Sequence, residues 1–120
     1  MENFEKIFLD DVSVIVVHLI SPTFLETNKF KEIIKEQIHS GYTNLVIDLS
    51  KCKNIDSTFF GAIILTLRMM EGKGYKLKVV EPANSGEDIF TRINPLRLFD
   101  LYKTRKDAIK SFEEDIQPES

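Results

Sequence analysis

The chain has 120 residues, 42% hydrophobic and 29% charged, with a net charge of -3; one globular domain is expected, large enough to bury a core without disulfides or metals. The acidic balance and lack of a long basic block argue against a dedicated nucleic-acid binder. Cys52 is the lone cysteine, so no internal disulfide or cysteine-rich metal site is possible, and a reducing, cytoplasmic setting fits best.

The N-terminus MENFEKIFLD carries acids early and no apolar core of a signal peptide. The apolar runs are far shorter than the ~20 residues of a membrane span. Residues 4–9 and 12–20 read as two strands, the second rich in β-branched residues, with Asp10-Asp11 as the hairpin turn. Ser21-Pro22 offers an N-cap followed by proline at the first helical position; a start nearer Thr27 is the alternative. Phe30, Ile33, Ile34 and Ile38 form the apolar stripe of that helix, and Gly41 ends it.

The run NLVIDL, residues 44–49, has the nearly continuous apolar character of a strand buried on both faces. A loop over 50–56 leads to a helix from about Ser57 to Glu71, stopped by Gly72 and Gly74, and then to a strand, KLKVVE, over 76–81. Strand, helix and strand at this spacing form a βαβ unit with parallel strands. Asn84 or Ser85 is a candidate cap for a third helix bearing Ile89, Phe90 and Ile93 and closing before Pro95. A short edge strand is expected within 96–102. Thr104 and Asp107 resemble a capping box for a last helix with Ala108, Ile109 and Phe112 on its apolar face, and a frayed tail is expected over 115–120. The whole is an α/β sandwich: a mixed sheet of four to five strands with about four helices against it.

The helix over 57–71 is the unusual element. At 100° per residue, Phe59, Phe60, Ile63, Leu67 and Met70 share the side that must face the sheet. Opposite lie Ser57, Gly61, Ile64, Arg68 and Glu71, flanked by Leu65 and Met69. A mid-helix glycine costs about 0.5–1 kcal/mol relative to alanine. Two explanations are open for Gly61: tight packing on a neighbouring helix, or close approach of a partner. Ser57 is open in the same way, since serine at a helix start is an ordinary N-cap.

The block NLVIDLSKCKNIDSTFFGAIILTLRMMEGKGYKLKVVE resembles the STAS domain of bacterial anti-sigma factor antagonists. That family shows a buried strand, a loop, then a hydrophobic residue, Asp, Ser and a second small hydroxyl residue opening a helix; Ile55, Asp56, Ser57, Thr58 and Gly61 fall on the pattern. IFTRINPLRLFDLYKTRKDAI is similar to the family's C-terminal segment. Two positions depart from it. Phe59 replaces the first glycine of D-S-S-G-L-G, giving a bulkier helix start, and HLISPTF lacks the family's acid after the second strand.

The resemblance implies a non-enzymatic regulator with Ser57 as phosphoacceptor and Thr58 as the second candidate. The partner it implies is an anti-sigma factor that is also a serine/threonine kinase of the histidine-kinase-like ATPase type; a PP2C-type phosphatase reverses the modification. The partner-binding surface expected is Asp56, Ser57, Thr58, Gly61, Ile64, Leu65 and Arg68. No cofactor, metal, nucleic acid or membrane is expected, and the protein is expected to be a monomer or weak dimer.

Two rivals remain on the residues alone. A hydrolase needs a base within reach of its nucleophile, but His18 and His39 belong to no recognisable motif and there is no G-x-S-x-G elbow. The other rival is a phosphorylation-independent STAS scaffold, or a nucleotide- or lipid-sensing domain, with Ser57 as a plain cap.

Overall fold

A computed structural model of the chain describes residues 2–83 and 99–116, the side chains of the last two excepted. Strands β1 (Phe4–Leu9) and β2 (Val12–Val17) form the expected antiparallel hairpin, with Phe4 opposite Val17 and Leu9 opposite Val12. Asp10 makes the turn with φ 53°, a left-handed conformation that Asp tolerates better than most residues. β2 stops at Val17 rather than at residue 20. Its other neighbour, β3 (Asn44–Asp48), reaches only Val16, and β1 begins opposite Val17, so the hairpin ladder ends with the bond from His18 N to Asn3 O.

β3 runs parallel to β2 and to β4 (Lys76–Val80), and β4 parallel to the two-residue β5 (Leu101–Tyr102). The order in the five-stranded sheet is β1-β2-β3-β4-β5. The mixed sheet agrees with the sequence reading. Helix α1 (Phe24–His39) links β2 to β3 and α2 (Ser57–Gly72) links β3 to β4; α3 (Arg105–Ile116) follows β5. These are the three helices among the described residues. The helix expected from Asn84 or Ser85 lies outside them, as does the start of the expected edge strand. α3 takes in the first two residues of the expected tail.

α1 starts neither at Ser21-Pro22 nor near Thr27. Its N-cap is Thr23, whose side chain accepts from Leu25 N while the Glu26 carboxylate accepts from Thr23 N, a reciprocal capping box. Ser40 closes it and Gly41 follows with φ 95°.

Strand alternation divides the core in two. Ile15, Val17, Leu45, Ile47, Leu77 and Val79 point to the face covered by α1 and α2. Val12, Val14, Val16, Val46 and Val80 point to the other face, where Ala108 and Phe112 of α3 cover them. Phe30, Ile33 and Ile34 of α1 and Phe59, Phe60, Ile63 and Met70 of α2 are buried as the spacing predicts, while Ile38 and Leu67 are half-buried at the edge of the core. Phe59 is fully buried, 4.9 Å from the Phe30 ring and 6.4 Å from the Phe4 ring. The bulkier helix start expected at this position is therefore absent from the surface.

Lys78 lies buried under α3, where its Nζ donates to Ser111 Oγ at 2.7 Å and sits 4.6 Å from the centre of the Phe112 ring. Cys52 is buried too, and loss of hydration with the nearby Asp48 charge pushes its thiol up to about 12. The thiolate is the reactive form. Iodoacetamide at pH 8 should therefore leave Cys52 unmodified in the folded protein and alkylate it within minutes in 6 M guanidinium, read by intact mass.

Candidate functional site

The loop between β3 and α2 is held from both ends. At its start, the buried Asp48 carboxylate accepts from Ser50 N at 2.9 Å and from Arg105 Nε at 2.9 Å. Further on, Lys53 N and Asn54 N both donate to Ile20 O, at 2.6 and 3.2 Å, and Asp56 N donates to Pro22 O at 3.2 Å. The segment between β2 and α1 is thus bound along its length to the loop that carries the acid and hydroxyls.

Asp56 completes the arrangement. Its Oδ1 accepts from Phe59 N at 2.8 Å and caps α2; its Oδ2 accepts from Phe24 N at 3.0 Å, at the first residue of α1. One carboxylate joins the N-termini of two helices, where free amides and the helix dipoles favour negative charge. The cap is Asp56, not Ser57. Ser57 is the first helical residue, exposed, and its hydroxyl has no hydrogen-bond partner among the described residues. Thr58 beside it is exposed as well.

Along α2, Ser57, Gly61 and Leu65 follow one another at four-residue steps. Leu65 is 56% exposed, Arg68 is exposed, and Gly61 and Ile64 are half-buried, Ile64 packing in part against the core. A Cβ built on Gly61 meets nothing within 4 Å. Packing on a neighbouring helix therefore does not explain this glycine. Gly61→Ala should raise the stability of the free protein by about 0.5–1 kcal/mol, since it removes backbone freedom from the unfolded chain at no steric cost; urea unfolding measures it.

Three apolar residues near the site were not picked out from the sequence. Ile20, Phe24 and Leu25 are 64%, 63% and 74% exposed. Ile20 O and Phe24 N are themselves bonded to the site loop. Ile20 lies past the last residue of β2, and Phe24 and Leu25 open α1 ahead of its apolar stripe, so no pattern separates them from core residues. Exposed apolar side chains gathered at one place mark interaction surfaces.

Neither histidine adjoins Ser57 by any hydrogen bond. His18 Nε2 lies 2.7 Å from Glu5 Oε1 and its Nδ1 3.2 Å from Lys51 Nζ. Since the ammonium can only donate, Nδ1 accepts from Lys51 and Nε2 donates to Glu5. The His18 bond holds the Glu5 carboxyl below its ordinary value. His39 is exposed in the last turn of α1. Among the described residues no group of His, Cys, Asp and Glu could hold a metal, and no helix is long and apolar enough to cross a membrane.

The STAS domain family model matches residues 4–108. The chain belongs to the STAS domain family. No curated protein matches this STAS domain in sequence. In fold it is similar to an anti-sigma factor antagonist from Mycobacterium paratuberculosis, 23% identical over 92% of each chain with TM-score 0.76. A Thermotoga maritima protein is 22% identical over 92% of this chain and 94% of its own, also with TM-score 0.76. The Bacillus cell-fate determinant SpoIIAA in its phosphorylated form is 15% identical over 91% of this chain and 98% of its own, with TM-score 0.69. At these identities the likeness establishes the fold of the domain.

Proposed function

We propose that this STAS domain is a cytoplasmic anti-sigma factor antagonist switched by phosphorylation of Ser57. In the unmodified state it binds an anti-sigma factor that is also a serine/threonine kinase of the histidine-kinase-like ATPase type, which frees a sigma factor. Phosphate on Ser57 ends the complex, and a PP2C-type phosphatase restores it. One observation carries this reading: Asp56 takes over the capping of α2, which leaves the Ser57 hydroxyl exposed and without a partner among the described residues. Likeness in fold to an antagonist and to a protein solved in phosphorylated form supports it.

The chemistry is compatible with the fold. A phosphate adds about -1.5 to -2 charges and three acceptor oxygens. At the first turn of α2 it meets free amides and a favourable dipole, so the domain need not unfold. The penalty falls on docking. Exposed apolar residues lie on the same elements, Leu65 further along α2 and Ile20 and Phe24 on the segment bonded to the loop. A partner covering them must desolvate the phosphate or place its own charges against it. Like charges across an interface cost several kcal/mol, and each 1.4 kcal/mol is tenfold in affinity. The open face of Gly61 fits a partner's close approach to α2.

Gel filtration with each purified histidine-kinase-like serine kinase of the source organism tests the proposal. A complex should form with one of them and ADP, and dissociate on incubation with ATP. A complex that persists in ATP while the domain becomes phosphorylated would contradict it.

A further inference from the structure

On the sheet face opposite α1 and α2, a cavity of about 750 Å3 opens between the ends of β3 and β4 and the first two turns of α3. That volume lies in the range of small-molecule sites. It sits outside the carboxyl ends of parallel strands, where α/β sheets leave room for ligands. Its floor includes Val80 and Ile109, and Lys103, Arg105, Lys106 and Lys110 line it. Four cations in one cavity stand out in a chain of net charge -3.

Two acids share the lining, Asp48 and Glu113. Asp48 is already occupied by Ser50 N and Arg105 Nε. Lys103 reaches Glu81 at 3.4 Å. Lys106 and Lys110 are exposed, one helical turn apart, and have no ion-pair partner among the described residues. The lysines also bring long methylene stems, so the cavity joins apolar walls to an excess of positive charge, two lysines unpaired among the described residues against the one remaining acid, Glu113.

We propose that this cavity binds a small organic phosphate: an apolar or aromatic body against Val80, Ile109 and the lysine stems, with its dianionic group held by Lys106 and Lys110. The site is separate from Ser57 and independent of the docking proposal. Its ligand contacts α3 and Ser50, not the hydroxyl at the start of α2.

The test is an amide-resonance titration of the full chain with 1-naphthyl phosphate, with 1-naphthol and inorganic phosphate as controls. The phosphate ester should perturb the amides of residues 103–110, Ser50 and Val80, and bind at least about tenfold more tightly than either control. In Lys106→Glu/Lys110→Glu its binding should fall at least about tenfold, with amide shifts elsewhere unchanged to show an intact fold. No perturbation at 10 mM, perturbation centred on other residues, undiminished binding by the double variant, or equal binding of inorganic phosphate would each overturn the proposal.

Discussion

Ser57→Glu should melt within about 2 °C of the parent protein and bind the proposed anti-sigma kinase at least about 100-fold more weakly. The fold should tolerate it because the hydroxyl is exposed and bonded to nothing described, and because an acid in the first turn of a helix contributes about 0.3–1 kcal/mol. The interface should not tolerate it. A carboxylate set beside Asp56 must lose water under the partner or meet the partner's charge, and about 2.7 kcal/mol suffices for the hundredfold. Ser57→Ala is the matching control: it should bind as tightly as the parent and no longer be released by ATP. Calorimetric titration of both variants reads the difference. Parent-like binding by Ser57→Glu would remove the switch.

Phe59→Ala should cost about 3–5 kcal/mol and lower the melting temperature by about 10–20 °C. The ring is fully buried between those of Phe4 and Phe30, from β1 and α1, so truncation opens a cavity where three elements meet. Restoring the family's glycine in place of Phe59 should be worse by about 1 kcal/mol more, through helix propensity. Urea unfolding measures both. A loss under 1 kcal/mol would mean that Phe59 stands outside the core. The two variants separate the ends of the same short motif: position 57 is expected to act on association and position 59 on folding.

The contrast shows what the sequence could disclose. Periodicity was enough to send Phe59 toward the sheet, and the structure buries it there, although the residue departs from the family pattern. The hairpin, the parallel strands and the outward flank of α2 were readable from alternation and helical spacing in the same way. The start of α1 was not. Ser21-Pro22 is a sound local signal, but Ile20 O and Pro22 O accept from the site loop, and that tertiary demand keeps the segment extended until Thr23. The T-x-x-E of Thr23 and Glu26 was the competing signal, and it decides the start.

Within the site, the motif located Asp56 and Ser57 but not their division of labour. Serine and aspartate are near-equal caps. The choice rests on Phe24 N, which lies 32 residues away and needs the same carboxylate. The exposed Ile20, Phe24 and Leu25 were hidden for a related reason: Ile20 lies past the end of β2, and Phe24 and Leu25 sit in a first turn whose start the sequence misplaced. Gly61 ran the other way. Its oddity was visible in sequence, and the open space above it removes the explanation by packing within the chain.

The account rests on the Ser57 oxygen as the atom that is modified. Tandem mass spectrometry of the domain after reaction with ATP and the kinase it binds tests this directly. The account predicts a single phosphate on Ser57 and none on Ser57→Ala. Phosphate found on Thr58 alone, or an unmodified domain released from its kinase all the same, would contradict it.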